Sequence, residues 1–392
     1  MNILFIHNAY QQRGGEDVAL ELETALLEQK GHQVKTLVFR NPAFSGPAEK
    51  VKGLVQAFYN TDSARQVEEA VATFRPDVAH VHNLFFVASP SVLFALHRLR
   101  IPVVATLHNY RLICANALLL RDGKICERCV HQSFPLAGIR YKCYRSSALE
   151  SALVTGITGV NKLLGTWKDK VHTYIALTGF GRQKILDSSL GLPPGQVTVV
   201  PNFVPDGGAG AFPRSDFFLF VGRISPEKGV DALLECFSSL PGLRLVLAGD
   251  GPELERLQQQ YGSCANISFQ GRCSPAQVAA LLKQCRALVF PSVWYEGLPF
   301  TIIEAFSAGT PVIASRLGAM AEIVRDGYNG FHFTAGDVAD MKAVLLRFAA
   351  EAADNPGWYR QARHTYEEHY HPDSHYRSLM AVYHQAMEKT AT

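Results

Sequence analysis

The chain of 392 residues contains no apolar run as long as the roughly 18 residues that a membrane-spanning helix requires. It also lacks the Gly-x-x-x-x-Gly-Lys-Ser/Thr sequence of P-loop nucleotide hydrolases, which disfavours that fold. No basic segment precedes the apolar run Asn2–Ile6, so we expect a buried first strand and a cytoplasmic protein rather than a secretory signal. In that compartment the eight cysteines should be mostly reduced.

Charge is sparse and unevenly distributed. Charged residues make up 19% of the chain and the formal net charge is +3. Between Arg121 and Lys184, eleven Lys or Arg stand against four Asp or Glu, an excess of +7. Such a region could bind phosphates, nucleic acid or an anionic membrane, although a solvated helix face produces the same pattern.

Short apolar, β-rich runs alternate with helical patterns, which predicts an α/β protein with parallel sheets covered by helices. The predicted strands are Asn2–Ile6, Gln33–Phe39, Asp77–Val81, Pro102–Leu107 and Thr173–Leu177, then Phe217–Val221, Arg244–Ala248, Asn266–Phe269, Ala287–Phe290 and Pro311–Ala314. A segment rich in Gly and Pro, Val200–Pro213, separates the two groups.

This pattern predicts two Rossmann-like domains, at residues 1–198 and 199–371, and a C-terminal helix at 372–392 that packs back on the first domain. The segment of about 111–170 is a basic, cysteine-containing insertion in the first domain. Ligands of such sheets bind at the carboxyl ends of the strands, so a cleft between the domains is the expected site.

The clearest candidate motif runs from Glu296 to Glu304 and follows a predicted strand. Pro299 suits the first turn of a helix, because its missing N–H is not needed there. Glu296 should then lie in a loop and Glu304 about two turns into the helix, whose N-terminus can hold a phosphate. The glutamates could accept hydroxyl groups of a sugar or ribose, or be two solvent-exposed carboxylates.

A second motif, Phe220–Gly229, contains the end of a predicted strand, a glycine and the start of a predicted helix. Arg223 and Lys228 could both reach one diphosphate. The simpler alternative is a surface salt bridge between Lys228 and Glu227.

Two weaker signals lie in the first half. The pair Gly14 and Gly15 would let a phosphate or sugar approach the backbone, although such pairs are common in turns. His108 ends a predicted strand and could point into the cleft, although a lone histidine is more often structural. A competing Gly-x-Gly at Gly249 and Gly251 lacks the third glycine of a dinucleotide site, because Leu254 stands there.

Four cysteines, Cys114, Cys126, Cys129 and Cys143, fall within the insertion. Cys126 and Cys129 form a Cys-x-x-Cys pair, and four thiolates could hold a structural zinc ion. Reduced thiols or a disulfide remain open alternatives.

Together these segments resemble the retaining family 4 glycosyltransferases, which have the GT-B architecture. The resemblance is strongest from Phe217 to Val324, where Glu296 and Glu304 match the family's Glu-x7-Glu motif. It implies that Arg223 and Lys228 bind the donor pyrophosphate and that Glu304 binds the ribose. The transferred sugar and pyrophosphate would be held by Glu296, Gly297, Leu298, Pro299 and Phe300.

By the same resemblance, Arg272 lies in the base-binding loop, His108 near the donor sugar and Gly14 with Gly15 in the glycine loop. Pro299 stands where many relatives have Gly, and it removes one N–H donor. The family retains the anomeric configuration, and the chain lacks the Asp-x-Asp pair that chelates metal in the other large glycosyltransferase architecture. No cofactor or catalytic metal is therefore expected.

The resemblance implies a nucleoside-diphosphate hexose, linked to UDP or GDP, as the donor and a saccharide or lipid-linked saccharide as the acceptor. Nucleic acid is not expected as a partner. The basic amphipathic segment Ala148–Lys170 could lie on an anionic membrane, on its cytoplasmic face. Two alternatives remain: another GT-B enzyme such as a sugar-nucleotide epimerase, and a non-catalytic sugar-binding scaffold.

Overall fold

The computed structural model describes residues 1–9, 14–41, 53, 55–352 and 356–391. The chain divides into two compact units. The first comprises Met1–Leu119, Cys126–Pro201 and His375–Thr392, and the second comprises Leu120–Ile125 and Asn202–Ser374. None of the helices in the described ranges has the length and apolar character needed to cross a membrane.

The first unit is built on a six-stranded sheet in which every neighbouring pair is parallel. Its strands are β1 (Asn2–Ala9), β2 (Gln33–Arg40), β3 (Val78–Val81), β4 (Val103–Leu107), β7 (Thr173–Ala176) and β8 (Val197–Val199), in the spatial order β2-β1-β3-β4-β7-β8. Its helices are α1 (Gly15–Gln29), α2 (Thr61–Phe74), α3 (Ser91–Arg98), α4 (Leu136–Arg140), α5 (Ala148–Leu163), α6 (Thr166–Asp169) and α7 (Gly179–Leu186).

The core of the first unit includes residues from both ends of the sequence. Ile3 and Phe5 of β1 pack in one buried cluster with Leu379, Val382 and Tyr383. These last three belong to the C-terminal helix, α15 (Pro372–Ala391). The helix therefore covers one face of this sheet, because its apolar side chains fill the cluster over the central strands.

The second unit repeats the same architecture. Its strands are β9 (Phe218–Val221), β10 (Leu245–Ala248), β11 (Ile267–Gly271), β12 (Ala287–Phe290), β13 (Val312–Ser315) and β14 (Gly330–Phe333). They form a second parallel sheet, in the spatial order β11-β10-β9-β12-β13-β14. Its helices are α8 (Val230–Ser238), α9 (Leu254–Tyr261), α10 (Pro275–Gln284), α11 (Phe300–Ser307), α12 (Gly318–Ile323), α13 (Val338–Ala352) and α14 (Gly357–His369).

The predicted α/β class with two parallel sheets is confirmed. Central strands such as β9 and β12 are almost wholly apolar and buried, as expected for sheets that are covered on both faces. The sequence reading missed the two-stranded hairpin β5 (Leu120–Arg121) and β6 (Lys124–Ile125). Its turn is Asp122-Gly123, with both φ angles positive, which is the preferred chemistry of a two-residue hairpin.

Candidate active site

The loops that follow β9 and β12 lie against each other in the second unit. The first makes a 3-10 turn at Pro226–Lys228 and ends at Gly229, whose φ is 68°. A side chain at Gly229 would place its Cβ 2.1 Å from the carbonyl oxygen of Pro291, so only glycine permits this approach. The Val293 amide also donates to the Glu227 carbonyl oxygen at 3.0 Å.

The contact between these loops brings together the two strongest sequence motifs. Lys228 Nζ lies 2.7 Å from Glu296 Oε1. Ser292 Oγ and Trp294 Nε1 donate to the same oxygen at 2.7 and 2.8 Å. Glu296 is 6% exposed, and its Oε2 accepts no hydrogen bond from the residues that the structure describes. That second oxygen is therefore the one available to a ligand hydroxyl.

Aromatic rings hold the Lys228 ammonium in place. It lies 5.5 Å from the ring centre of Phe290 and 5.6 Å from that of Trp294, within the range of cation–π attraction. The alternative salt bridge between Lys228 and Glu227 is wrong. Glu227 Oε1 instead accepts a hydrogen bond from Ser225 Oγ at 2.6 Å.

Helix α11 carries the second glutamate of the motif. Pro299 is its N-cap and not a residue of the first turn, because its ψ of 119° is extended. Glu304 is the fifth residue of the helix, which is little more than one turn at 3.6 residues per turn and not the predicted two. It is half-buried, and burial raises the pKa of its carboxyl group. Gly297, Leu298 and Phe300 surround this N-cap.

Two arginines of the predicted donor site are exposed on the second unit. Arg223 forms no hydrogen bond or ion pair with the described parts of the chain, so its guanidinium is free to meet an anion. Arg272 directly follows β11.

The competing Gly-x-Gly has a packing role. A Cβ at Gly249 would lie 1.9 Å from the Gly222 carbonyl oxygen, and one at Gly251 would lie 2.3 Å from that of Ile224. These glycines let the loop after β10 pack against the loop that carries Arg223, which explains the motif without a dinucleotide.

In the first unit, His108 directly follows β4 and is half-buried. Its Nε2 lies 2.9 Å from Nδ1 of His82, and the two rings stack at a centroid distance of 5.2 Å. Burial lowers the pKa of His108 to about 3, so the ring is neutral at physiological pH. Both histidines line a small cavity of about 60 Å³ with Asn109, Arg111 and Trp167.

The predicted glycine loop is only partly described, because residues 10–13 lie outside the described ranges. Gly14 caps α1, and its amide donates to Asp17 Oδ2 at 2.8 Å. Asp17 Oδ1 lies 2.9 Å from Nε2 of the buried His7. Gly15 is the first residue of α1. Among the described residues, the atom nearest to a Cβ built at Gly14 is Asp17 Oδ2 at 4.0 Å.

The four cysteines of the insertion are free thiols, which removes the disulfide alternative in this structure. Cys114 Sγ donates to Asn116 Oδ1 at 2.9 Å. Burial raises the pKa of the Cys129 thiol to about 11. In the described parts of the chain, no three cysteine sulfurs lie within 4.8 Å of one another; the group that meets this distance consists of Glu23, His80 and His82. Zinc at Cys126 and its neighbours stays a prediction.

The structure therefore joins Lys228 and Glu296 directly, and it places Arg223, Pro299 and Glu304 on neighbouring segments of the second unit. It also adds contributors that the sequence reading missed, Ser292 and Trp294 in the second unit and His82 in the first. A usable signal existed for His82, since His80-x-His82 stands at the carboxyl end of β3, where ligands of parallel sheets bind.

Comparison with known proteins agrees with this geometry. Residues 13–206 match the family model described as Glycosyltransferase Family 4, and residues 209–365 match that of Glycosyl transferases group 1. The D-inositol 3-phosphate glycosyltransferase of Mycolicibacterium paratuberculosis is 37% identical over 150 residues, which is 35% of this chain and 34% of that protein. The phosphatidyl-myo-inositol mannosyltransferase of Mycobacterium leprae is 29% identical over 52% of this chain and 57% of its own.

The matched segment thus spans between about a third and three fifths of such relatives. Solved structures match along almost the whole chain. HepE of Anabaena in complex with UDP has a TM-score of 0.66 at 17% identity, covering 97% of this chain and 99% of its own. Sucrose-phosphate synthase of Thermosynechococcus elongatus has a TM-score of 0.71 at 15% identity, covering 99% of each chain. The chain belongs to glycosyltransferase family 4 and has the two Rossmann-like domains of the GT-B fold.

Proposed function

We propose that this chain transfers a hexose, with retention of configuration, from a nucleoside-diphosphate sugar to a saccharide or lipid-linked saccharide. The observation that carries the proposal is the pairing of Lys228 with Glu296 beside the exposed Arg223. It puts a fixed cation and a carboxylate at the carboxyl ends of two adjacent strands, where α/β folds bind nucleotides. UDP sugars are the first donors to test, because HepE was solved with UDP and UDP-glucose.

The proposed chemistry follows from charge. As the bond between the sugar C1 and the diphosphate breaks, negative charge develops on the leaving phosphate. Arg223, Lys228 and the first amides of α11 can stabilise that charge. Glu296 Oε2 would accept a sugar hydroxyl, Glu304 the ribose hydroxyls, and Arg272 would lie beside the base.

His108 keeps the role that the family resemblance implies, contact with the transferred sugar. We further propose that the reaction needs no catalytic divalent metal, because Arg223 and Lys228 supply positive charge for the phosphates. Complete loss of activity on chelation, restored by Mg²⁺, would contradict this part of the proposal.

The decisive experiment measures product formation and the release of nucleoside diphosphate with UDP and GDP sugars. Lys228→Met should lower kcat/KM by about 10²- to 10³-fold, as expected for removal of a charged group that stabilises the transition state. Lys342→Met is the matched control, because Lys342 is a half-buried lysine of the same unit that donates to Ser239 Oγ at 3.2 Å and belongs to none of the predicted site motifs. Equal activity of the two variants would remove Lys228 from the proposed machinery, whereas binding of a sugar nucleotide with no product from any of the three proteins would favour a non-catalytic sugar-binding scaffold.

The epimerase alternative is separated in the same assay. A transferase releases nucleoside diphosphate at a rate that depends on the acceptor, whereas an epimerase changes the sugar while it stays linked to the nucleotide. Conversion of the donor to its epimer with no acceptor present would therefore support the alternative.

A lipid-linked acceptor agrees with the surface of α5. Leu149, Val160 and Leu163 recur at helical spacing on this helix and are 68%, 37% and 70% exposed. Leu164 follows them at 61%, and Arg145 and Lys168 lie nearby as exposed cations. We propose that this face rests on an anionic membrane from its cytoplasmic side.

Vesicles that contain anionic lipid should carry the protein in flotation, and Leu163→Glu with Leu164→Glu should abolish this. Ala substitution of the exposed Leu346 on α13 of the second unit serves as the control. Equal flotation of all three proteins would contradict a membrane role for α5.

The zinc hypothesis for the insertion also remains a proposal. Cys114, Cys126, Cys129 and Cys143 supply four thiols on one segment, and thiolate is the preferred structural ligand of zinc. Purified protein that contains no zinc, and in which all four of these thiols can be titrated, would contradict the zinc hypothesis.

A further inference from the structure

We propose that Glu23, His80 and His82 form a buried zinc site within the first unit. Glu23 lies on α1, His80 lies on β3, and His82 directly follows that strand. Their donor atoms all lie within 4.8 Å of one another. None of these three residues is proposed to bind the donor, although His82 contacts His108, which is proposed to contact the transferred sugar. The metal itself would have a structural role that does not depend on the transferase reaction.

Burial makes this cluster unusual. Glu23 is 3% exposed, His80 0% and His82 4%. Only histidines lie within ion-pair distance of the Glu23 carboxylate among the residues that the structure describes. An anionic group in such surroundings is costly unless a positive charge is placed beside it. A divalent cation supplies that charge without any change in the fold.

The distances fit metal ligation better than hydrogen bonding. Glu23 Oε2 lies 3.6 Å from His80 Nδ1 and 3.4 Å from His82 Nε2. Neither Glu23 Oε2 nor His82 Nε2 has a hydrogen-bond partner in the described structure, although both atoms are buried. Zinc at about 2.0–2.2 Å from tetrahedral N and O ligands sets neighbouring ligands roughly 3.3–3.5 Å apart. A hydrogen bond would instead bring the atoms to about 2.7–3.2 Å.

The outward nitrogens of both histidines already have partners, as in known zinc sites. His80 Nε2 lies 2.7 Å from Thr106 Oγ1, and His82 Nδ1 lies 2.9 Å from His108 Nε2. Metal-binding histidines usually donate their other ring N–H in this way, which fixes the tautomer that leaves the inner nitrogen free to bind. The same arrangement would make His82 a donor to His108 and so hold the orientation of that ring.

One existing contact must change when a metal binds. His80 Nδ1 lies 2.8 Å from the Tyr383 hydroxyl, and that hydrogen bond would be given up. The hydroxyl then lies beside the metal as a neutral oxygen for the fourth position. The second carboxylate oxygen, Glu23 Oε1, lies 3.3 Å from Nε2 of His375, whose Nδ1 donates to the Pro201 carbonyl oxygen at 2.7 Å.

The donor set selects zinc among common cations. Two imidazoles and one carboxylate suit first-row transition metals, whereas Mg²⁺ and Ca²⁺ prefer oxygen ligands and water. A closed, buried position also suits a structural zinc ion better than a catalytic one, which keeps a position open to substrate.

The test is metal analysis of the full chain, purified without a metal-affinity column, in a background that carries Cys126→Ser and Cys129→Ser. That background removes zinc held by the insertion. We expect one zinc per chain. Glu23→Gln and His80→Asn should each reduce it to the blank value. His332→Asn is the control, because His332 is a buried histidine whose Nδ1 lies 3.3 Å from Asp326 in the second unit, and it should retain the zinc.

A second measurement does not depend on variants of the cluster. Chelation should lower Tm of the background protein, and Zn²⁺ but not Mg²⁺ should restore it, because a metal that binds only the folded state stabilises it. Zinc that persists in Glu23→Gln overturns the proposal. So does a background protein that binds no zinc and shows no shift in Tm, since the metal would then belong to the cysteines or be absent.

Discussion

Lys228 Nζ lies 2.7 Å from Glu296 Oε1 although the two residues are 68 positions apart in the sequence. In the sequence, the two loops resemble separate binding sites, one for an anion and one for a sugar. The contact joins them into a single site. One carboxylate oxygen of Glu296 therefore fixes the cation, and the other accepts no hydrogen bond from the described residues, which leaves it for the ligand role proposed above.

Replacing Glu296 with Gln tests this coupling. Because the substitution removes the charge that anchors Lys228, we expect kcat/KM to fall by about 10²- to 10³-fold. The free energy of unfolding should fall by about 1–3 kcal/mol, since buried donors lose their charged acceptor. In a double-mutant cycle, Lys228→Met should lower kcat/KM by a much smaller factor in the Glu296→Gln background than in the native chain. Additive losses would show that the two side chains act independently.

Glu304→Gln should separate stability from binding. Burial raises the pKa of Glu304, so its ionised form is disfavoured in the folded protein. Below the pKa that Glu304 has in the unfolded chain, the carboxyl group is neutral in both states and does not change the free energy of unfolding. As the pH rises through the higher pKa of the folded protein, the buried charge lowers that free energy. At neutral pH the variant should therefore unfold at an equal or higher temperature than the native chain.

The affinity of Glu304→Gln for nucleoside diphosphate should nevertheless weaken by roughly 10- to 100-fold, because the proposed charged acceptor of the ribose hydroxyls is lost. Calorimetric titration with UDP and GDP measures this. A variant that binds as tightly as the native chain would remove Glu304 from the nucleotide site.

Gly229→Ala tests the contact between the loops after β9 and β12. The new Cβ would meet the Pro291 carbonyl oxygen at 2.1 Å, and the φ of 68° is unfavourable for alanine. We expect loss of activity together with a lower Tm. Gly242→Ala is the matched control in the same unit, because nothing lies within 4 Å of its Cβ position. Similar behaviour of both variants would mean that the approach of the loops is not needed.

The ion pair between Asp206 and Arg363 predicts an acid-dependent contribution to stability. Two guanidinium nitrogens donate to the two carboxylate oxygens at 2.7 and 2.6 Å. This hydrogen bonding to Arg363 lowers the pKa of Asp206 to about 2. A depressed carboxyl pKa stabilises the fold above the unfolded value of about 3.8, and that contribution is lost as the pH falls towards 2.

Asp206→Asn should therefore cost about 1 kcal/mol at neutral pH, since the carboxylate is partly solvated. Urea unfolding at pH 7 and pH 2.5 should show that the difference from the native chain shrinks in acid. Asp216→Asn, which breaks a pair whose carboxylate is 73% exposed, should have a smaller effect. A difference that grows in acid would contradict the assignment.

Most of the fold was predictable because a buried parallel strand has a plain sequence signature. Runs such as Phe218–Val221 and Ala287–Phe290 are apolar over their whole length. The strands β8 and β14 were missed, since three or four residues carry too little pattern and their pairing depends on neighbours such as β7 and β13. The spatial order of the strands likewise depends on tertiary packing.

The site was predictable as a set of residues but not as a set of contacts. The motifs identified Lys228 and Glu296 as site residues. The salt-bridge partner that the sequence suggested for Lys228 was the adjacent Glu227, whereas the structure pairs Lys228 with Glu296. Sequence spacing cannot reveal a pair that forms only when two loops meet. Glu23 could not be predicted for the same reason, because it approaches His82 from α1, far away in the sequence.

The packing of α15 on the first sheet sets an order for folding during synthesis. Leu379, Val382 and Tyr383 share a core with Ile3 and Phe5, so the first unit cannot be completed until α15 has been made. The second unit needs nothing after Ser374. Domains are commonly completed in order from the amino terminus; here we expect the second one to reach its native state before the first. The first strands are therefore made long before the helix that covers one face of their sheet.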